Sequence, residues 1–319
     1  MALSPFFYKP LAAQRVTQAN TNSPMQQEHV FYRVNGIEMH VVEAGNPKGD
    51  ILLFLHGFPE YWWGWRHQLA HFASQGYRVV APDQRGYNRS SKPARQAAYG
   101  MRQLSDDIAE LIRQLGTAPL TLVGHDWGGA VAWAVALRYP QLLHKLVILN
   151  LPHPQAMRQG LRWPRQWLKS WYIGLFQLPL LPEKLLRMGN FALLEQSMLR
   201  SAKRGTFSPL DMAHYKEAWQ MPGALTAMLN WYRAALQPTL KLSGTISTPT
   251  LLLWGKQDQF LSHQMARLSI AQCRQGRLVM LENATHWLHH EQPREVNRLI
   301  QQFIDPLAPG PAETTQYTP

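Results

Sequence analysis

The chain has 319 residues, of which 45% are hydrophobic and 16% charged, a composition typical of a globular protein with a sizeable core. No apolar run approaches the length that a membrane-spanning helix needs, and the polar residues 1–30 lack the continuous apolar stretch of a secretory signal. We therefore expect a cytoplasmic protein. Cys273 is the only cysteine in the sequence, which excludes an intrachain disulfide and a cysteine-based metal site.

The formal net charge of +12 is concentrated in residues 151–245, where 12 lysines and arginines stand against 4 acidic residues. The basic residues are dispersed and no nucleic-acid-binding motif occurs, so we expect no nucleic-acid partner. The simpler interpretation of the charge is a solvated basic surface. The alternative is a basic surface that contacts anionic lipid at the membrane periphery, because Trp163, Trp167 and Trp171 recur at intervals of four residues.

Apolar, strand-like runs alternate with helical segments along most of the chain. This alternation predicts an α/β fold with a mostly parallel, doubly wound sheet. The predicted strands, in chain order, are 37–42, 51–55, 78–81, 119–123, 145–149, 250–254 and 277–281.

Two predicted helices have clear end signals. Ser105 and Asp106 are suited to cap a helix that Gly116 ends, and Pro293 is suited to open a final helix with one apolar face.

Residues 151–245 interrupt the alternation, since they are rich in Trp, Met, Leu and Pro and poor in strand-like runs. We interpret them as a helical cap inserted into a core formed by residues 30–150 and 246–304. Residues 305–319 are rich in Pro, Thr and Gly and are predicted to be disordered.

The run Gly124-His-Asp-Trp-Gly128 lies where a predicted buried strand turns into an Ala-rich helix. Glycines on both sides of Asp126 allow the tight turn of a nucleophile elbow, with a carboxylate where a serine hydroxyl is usual. A serine alkoxide attacks carbonyl carbon, whereas a carboxylate is suited to displacing a leaving group from an sp³ carbon. The elbow therefore predicts an alkyl ester intermediate on Asp126 and disfavours a serine-type esterase.

Three further motifs follow predicted strands. The sequence HGFPE at residues 56–60 comes directly after the second predicted strand, Asp258 lies shortly after the sixth, and His286 lies shortly after the seventh. A histidine in that last position can reach back to the elbow and activate water.

With these motifs in the order nucleophile, acid, histidine, the chain resembles the α/β-hydrolases, and among them the epoxide hydrolase branch. That branch also includes haloalkane and fluoroacetate dehalogenases. The resemblance extends from about residue 30 to residue 304. It implies an α/β-hydrolase fold with an inserted cap and a catalytic triad of Asp126, Asp258 and His286.

The resemblance also assigns roles to these residues. Asp126 is the nucleophile, His286 activates water, and Asp258 orients the imidazole of His286 and stabilises its charged form. Some relatives carry the acid after the preceding strand, where this chain has Asn150, so Asp258 is the predicted acid. His263, His289 and His290 are weaker candidates for the base, because the family pattern has a single histidine in this loop.

The HGFPE sequence resembles the HGxP motif of the family. The motif turns the backbone sharply, so that the N–H of Phe58 points at the nucleophile, and the N–H of Trp127 supplies a second donor. Together these two donors are predicted to form an oxyanion hole.

The choice between epoxide and halide depends on the leaving group. An opening epoxide needs a proton on its alkoxide, whereas a departing halide needs N–H donors. Tyr172 and Tyr232 fall at positions that resemble the ring-opening tyrosines of epoxide hydrolases, and a tyrosine is a competent proton donor at neutral pH. Haloalkane dehalogenases usually place asparagine where this chain has Phe58, and fluoroacetate dehalogenases place arginine where it has Trp127.

The sequence therefore predicts an epoxide hydrolase that converts a small apolar epoxide to a diol without a metal or an organic cofactor. The alternatives are a haloalkane or haloacid dehalogenase with the same nucleophile, and a non-catalytic relative, which the complete triad disfavours. A monomer and a homodimer remain equally open. Besides Trp127, the residues predicted to line the substrate pocket are His56, Pro59, Trp62, Trp63, Phe176 and Trp287.

Overall fold

The computed structural model describes residues 27–116, 118–236 and 240–305. Within them, eight strands form one sheet in the order β1-β2-β4-β3-β5-β6-β7-β8. Strand β2 pairs antiparallel with β1 and β4, and all pairings from β4 through β3 to β8 are parallel. The strands are β1 Gln27–Val34, β2 Ile37–Gly45, β3 Ile51–Leu55, β4 Arg78–Pro82, β5 Leu120–His125, β6 Leu143–Leu149, β7 Thr250–Gly255 and β8 Gly276–Leu281.

Twelve α-helices occur among the described residues. They are α1 Arg66–Ser74, α2 Met101–Leu115, α3 Trp127–Arg138, α4 Pro154–Gly160, α5 Pro164–Lys169, α6 Trp171–Phe176, α7 Leu181–Ser201, α8 Pro209–Gln220, α9 Ala224–Ala235, α10 Gln264–Ile270, α11 Leu288–Glu291 and α12 Pro293–Ile304. Helix α7 is broken at residues 188–191, where the backbone leaves helical geometry. None of these helices has both the length and the apolar sequence that crossing a lipid bilayer requires.

The strand order explains why helices cover both faces of the sheet. The chain passes from β3 through α1 to β4 towards one edge, and from β5 through α3 to β6 towards the other. Because parallel crossovers are right-handed, crossovers that run in opposite directions place their helices on opposite faces. Helices α2 and α3 pack together on one face, and α1 packs with α12 on the other. Strands β3 and β5, buried along their whole length, form the centre of the core.

The structure confirms the mostly parallel, doubly wound sheet, and all seven predicted strands occur within one or two residues of their predicted starts. Strand β1 was not predicted. It is an antiparallel edge strand in which buried and exposed positions are mixed, and it lacks the continuous apolar run that marks the central strands.

The prediction that Ser105 and Asp106 cap helix α2 is wrong. The helix begins one turn earlier, at Met101, and Ser105 lies inside it with its hydroxyl donating to the Met101 carbonyl oxygen at 2.6 Å. Serine can satisfy its hydroxyl in this way within a helix, so its presence alone does not mark a start. Gly116 does end the helix, in the left-handed conformation at φ 81°, and Pro293 opens α12 as predicted.

Between β6 and β7 the described residues form helices α4 to α9 and no strand of the main sheet. Indole N–H groups bind this segment to loops of the sheet: Trp231 donates to the Arg85 carbonyl oxygen at 3.0 Å and Trp219 to that of Pro59 at 2.6 Å. The exact core and cap boundaries at residues 150 and 246 stay a prediction. The predicted disorder of residues 305–319 falls on positions that, after Asp305, lie outside the described residues.

Candidate active site

Asp126 sits in a turn that leaves no room for side chains at the flanking glycines. The residue has φ 49° and ψ −124°, between the end of β5 and the start of α3. A Cβ at Gly124 would lie 2.5 Å from the Gly128 carbonyl oxygen, and a Cβ at Gly128 would lie 2.1 Å from that of Leu55. Both distances are far inside van der Waals contact. Glycine is therefore required at both positions, because the backbone segments approach closely there. This close approach presents Asp126 at the carboxyl end of the central strand β5.

The three residues of the predicted triad lie side by side. The Phe58 N–H donates to Asp126 Oδ1 at 2.9 Å, and the other carboxylate oxygen, Oδ2, lies 3.5 Å from His286 Nε2. On the far side of the ring, His286 Nδ1 is 2.9 Å from Asp258 Oδ2. The imidazole thus bridges the buried carboxylate of Asp258 and the partly buried carboxylate of Asp126, with its Nε2 towards the elbow.

Asp258 is held by three donors. The backbone N–H groups of Phe260 and Leu261 donate to Oδ1 at 2.7 and 2.9 Å, and Asn150 Nδ2 donates to Oδ2 at 2.8 Å. Hydrogen bonds of this kind stabilise the ionised carboxylate. They also fix the oxygen that faces His286 Nδ1.

Asn150 is a positioning residue that the sequence alone did not reveal. It follows β6 in the left-handed conformation at φ 44°, which asparagine tolerates well. Its Oδ1 accepts from the Gly255 N–H at 2.7 Å, and its Nδ2 also donates to the Thr285 carbonyl oxygen at 3.0 Å. The side chain therefore ties together the ends of β6 and β7 and the loop that carries His286.

The charges of the bridging histidine and the nucleophile support each other. Burial alone would lower the pKa of His286, but the charge of Asp258 and the hydrogen bond to Asp126 outweigh it and raise that pKa to about 10. Burial alone would raise the pKa of Asp126, and the hydrogen bond and charge of His286 bring it below its ordinary value. The resting site is therefore an imidazolium between two carboxylates.

A cavity of about 330 Å³ lies above Asp126, between the sheet and the inserted helices. Its wall includes Asp126, Trp127, Tyr172 and Tyr232, and most of the remaining wall is apolar. A mostly apolar cavity with a few converging polar groups is typical of a site for a small organic ligand.

The two tyrosines lie next to each other on the cavity wall, with their rings packed edge-on. Their ring centroids are 6.0 Å apart, and the Tyr232 ring packs edge-on to Trp127 at 5.0 Å. Burial raises the pKa of both hydroxyls, followed by the charge of Asp126 for Tyr172 and by the neighbouring Tyr172 and then Asp126 for Tyr232. Both tyrosines therefore remain protonated throughout the neutral range, as proton donors must be.

The six other residues predicted to line the pocket lie outside the cavity wall, and each is engaged elsewhere. His56 Nε2 accepts from the Gln84 N–H at 3.0 Å, which leaves Nδ1–H to donate to the Gly57 carbonyl oxygen. The Pro59 carbonyl oxygen accepts from the Trp219 indole. Both residues hold the turn that aims the Phe58 N–H.

The predicted aromatic residues are engaged in packing between layers. The backbone N–H of Trp62 donates to Asp83 at 3.2 Å, and the indole of Trp63 donates to Asp211 on α8 at the same distance. Trp287 packs edge-on to the ring of His286 at 5.2 Å, and its indole donates to the Ser201 hydroxyl on α7. Phe176 packs against the rings of both cavity tyrosines at 5.0 and 5.5 Å. These residues support the site without lining it.

A second polar cluster, buried behind the elbow, was also missed. Glu60 Oε1 accepts from the Tyr215 hydroxyl at 2.7 Å and lies 2.6 Å from His290 Nε2, while Oε2 lies 3.3 Å from His125 and 3.4 Å from His289. Burial raises the pKa of Glu60, but the neighbouring histidines lower it well below its ordinary value. Among the described residues, Glu60, His125 and His289 have spacing that could hold a metal ion. His125 also contacts the His286 carbonyl oxygen at 2.9 Å, which connects the cluster to the triad.

Comparisons with known proteins agree with this geometry. A family model described as the alpha/beta hydrolase fold matches residues 50–293. The chain is 45% identical over 276 residues to the AB hydrolase superfamily protein YfhM of Bacillus subtilis (strain 168), covering 86% of this chain and 96% of that protein. It is 39% identical over 285 residues to epoxide hydrolase 2 of Caenorhabditis elegans, covering 87% of this chain and 80% of the relative.

Solved structures give the same result. The chain superposes on an epoxide hydrolase of Bacillus megaterium in complex with an inhibitor with a TM-score of 0.80 at 31% identity, covering 86% of this chain and 99% of that one. The fold and the site define an α/β-hydrolase with a carboxylate nucleophile. The chain belongs to the α/β-hydrolase superfamily and, within it, to the epoxide hydrolase family.

Proposed function

We propose that this protein is an epoxide hydrolase that opens a small apolar epoxide to a vicinal diol. The observation that carries the proposal is the placement of the Asp126 carboxylate and two protonated tyrosines, Tyr172 and Tyr232, on the wall of one apolar cavity. A nucleophile and proton donors on one cavity are what ring opening requires. The names of the relatives and of the superposed structure support the same activity.

In the first half-reaction the tyrosine hydroxyls bind the epoxide oxygen, and Asp126 Oδ2 attacks a ring carbon. The C–O bond of the ring breaks as the ester C–O bond forms, and one tyrosine hydroxyl protonates the departing oxygen. Asp126 Oδ1, which accepts from the Phe58 N–H, becomes the carbonyl oxygen of the hydroxyalkyl ester.

In the second half-reaction His286 takes a proton from water, which attacks the ester carbonyl carbon. The negative charge that develops on Asp126 Oδ1 is stabilised by the Phe58 N–H, and we assign the second donor to the Trp127 N–H. Collapse releases the diol as His286 returns that proton to its oxygen. The carboxylic acid left on Asp126 then passes its proton to the neutral His286, which restores the resting carboxylate and imidazolium. These steps use only groups of the chain and water.

Esterification itself prepares the histidine for this role. While Asp126 is a carboxylate, its charge and hydrogen bond help to keep His286 protonated. The ester is neutral, so that contribution disappears and the imidazolium gives up its proton, which restores the hydroxyl of the tyrosine that protonated the epoxide oxygen. The neutral imidazole then acts as a base. Asp258 remains to orient the ring through Nδ1.

Dehalogenation is the second candidate, because the same carboxylate could displace a halide. The indole of Trp127, which lies on the cavity wall, is the feature that favours it. We prefer the epoxide because two hydroxyl donors lie on that wall and Phe58 stands where haloalkane enzymes usually have an amide. Relatives named as epoxide hydrolases also support this choice.

The test is to incubate one preparation with styrene oxide and, separately, with a bromoalkane, and to measure diol and released bromide. Diol without bromide is expected, whereas bromide without diol would make the protein a dehalogenase. The variant H286Q should then accumulate an ester on Asp126, seen as a mass increase equal to the substrate. A matched control is D126A, which removes the nucleophile and should show neither turnover nor the mass increase.

The tyrosine assignment needs its own variant. Replacing both residues, Tyr172→Phe with Tyr232→Phe, removes two hydroxyl groups and leaves the ring packing in place. We expect this double variant, which keeps Asp126, to lose formation of the ester. Unchanged activity would reject the assignment of the two tyrosines. We further propose that the enzyme is cytoplasmic and is a monomer or a homodimer. Cell fractionation would test the location, and sedimentation would test the oligomeric state.

A further inference from the structure

One segment of the inserted helices has an unusual surface. Of the twelve large apolar side chains that are exposed among the described residues, eight lie within residues 161–188. Trp167, Leu168, Trp171 and Leu180 are 70%, 78%, 68% and 70% exposed. We call the exposed apolar side chains of residues 161–188 the tryptophan face. Such concentrations on a monomer mark interaction sites.

The exposed charges of the same segment are all positive. Its only acidic residue in the sequence is Glu183, which is buried and paired with Arg233 at 2.8 Å. Arg162, Lys184 and Arg187 are exposed. A tryptophan- and leucine-rich surface flanked by basic side chains fits the interface of an anionic lipid bilayer, where indoles lie at the headgroup level.

The tryptophan face and the catalytic cavity share one helix. On α6, Trp171 points outwards, while its neighbours Tyr172 and Ile173 line the cavity. Leu161 is exposed and also lines the cavity, and its carbonyl oxygen accepts from the Trp167 indole. The cavity therefore opens beside the tryptophan face.

We propose that the tryptophan face docks the enzyme on anionic lipid membranes, so that the cavity receives small apolar epoxides that are dissolved in the bilayer. The docking is argued from the exposed apolar and basic side chains alone, whereas the substrate class rests on the proposed epoxide hydrolase function. A second copy of the chain fits this surface less well. A two-fold contact would bring the same basic patch of both copies together, so that Arg162, Lys184 and Arg187 would meet like charges, and the segment has no exposed carboxylate to pair with them.

The first experiment measures co-sedimentation of the full chain with phosphatidylcholine vesicles, with and without phosphatidylglycerol. Binding is expected only with the anionic lipid and should weaken as salt is raised. The double variant W167S/W171S should reduce the partition coefficient at least about tenfold. The double variant K184E/R187E, which keeps the apolar side chains, should reduce it by a similar factor.

The matched control is L210S, which removes an exposed leucine on α8 outside the segment. It should bind vesicles as the wild type does. Equal loss of binding in L210S would refute a specific face. Absence of wild-type binding would overturn the proposal, as would a concentration-dependent dimer that W167S/W171S abolishes, since the face would then be a subunit interface.

A kinetic measurement separates the docking from the proposed function. Water-soluble styrene oxide without vesicles reports the chemistry alone, and W167S/W171S should turn it over at the wild-type rate. A small apolar epoxide that partitions into anionic vesicles should be hydrolysed at least about tenfold more slowly by that variant. Vesicle binding without turnover of either epoxide would reject the function and leave the docking intact. Equal rates on the vesicle-borne substrate would reject the delivery of substrate from the bilayer.

Discussion

Replacing Asp126 by asparagine should lower the pKa of His286 by several units. Asparagine has nearly the shape of aspartate and, like the ester intermediate, carries no charge. In the wild type the imidazole has Asp258 at 2.9 Å on Nδ1 and Asp126 at 3.5 Å on Nε2, and its pKa is raised to about 10. The substitution removes one of these two charges and leaves the other.

The magnitude follows from the distance. Two unit charges 3.5 Å apart interact by about 5 kcal/mol at an effective dielectric constant of about 20. Since one pKa unit corresponds to about 1.4 kcal/mol, the loss is about three units. We therefore expect the pKa of His286 to fall from about 10 to near its ordinary value of 6.5 in D126N.

Histidine ring signals in a pH titration followed by NMR measure this directly, with H286Q identifying the resonance. Mass spectrometry of the same sample checks that the amide at position 126 is intact. The variant D258N is the control, because it removes the other carboxylate and should also lower the pKa. If His286 in D126N still titrated near its wild-type pKa, the nucleophile would not be what keeps it charged, and the activation of the base by esterification would be refuted.

Four further predictions concern pH and stability. With ester hydrolysis limiting, kcat should rise between about pH 6 and about pH 8 as His286 of the ester loses its proton, while kcat/KM stays level; a level kcat would contradict the scheme. Because the pKa of His286 is raised in the folded state, its stabilising contribution is complete below its ordinary pKa of 6.5 and is lost as the pH rises through about 10. Raising the pH through that window should therefore lower the unfolding free energy of the wild type, measured with urea, more than that of H286Q. N150A should cost about 1–3 kcal/mol of unfolding free energy by leaving the Gly255 N–H unpaired, and a neutral result would contradict a role of Asn150 in holding the two strand ends together. E60A should cost about 3–5 kcal/mol because it leaves the buried Tyr215 hydroxyl and the facing His290 ring without their acceptor, at about 1–3 kcal/mol for each buried group left unpaired, against about 1 kcal/mol for Y215F, which removes one donor; similar losses would argue against Glu60 as the shared acceptor.

The fold could be predicted because buried parallel strands have a simple sequence signature. Strand β3, with the sequence ILLFL, is buried at every position, and no pattern other than a continuous apolar run satisfies that environment. Strand β1, with the sequence QEHVFYRV, lies at one edge of the sheet and mixes buried with partly exposed positions, so it has no continuous apolar run. The start of α2 was misplaced because Ser105 satisfies its hydroxyl inside the helix, as readily as it would at a cap.

The placement of the triad could be predicted because its signal is local. The glycines at 124 and 128 flank Asp126 within five letters, so the elbow is visible in the sequence, although the backbone contact that requires Gly128 is with Leu55 on the neighbouring strand β3. The residues predicted to line the pocket depended instead on side-chain direction. Trp63 and Trp287 direct their indoles to Asp211 and Ser201, both on inserted helices distant in sequence. Only the packing of the insertion on the sheet decides this, and no local pattern encodes it.

The two half-reactions make opposite demands on His286, and the geometry meets both with a single changing charge. Attack on the epoxide needs an ionised Asp126, which the imidazolium stabilises at Nε2. Hydrolysis needs a neutral imidazole, and the carboxylate that favoured the charged form has by then been consumed as the ester. Asp258, with its three donors, is unchanged throughout and so can orient the ring in both states. A further anion at Nε2 would keep the ring protonated after esterification and block the second step. The apolar wall that surrounds Asp126 and the neutral tyrosines therefore serve the hydrolysis as much as the ring opening.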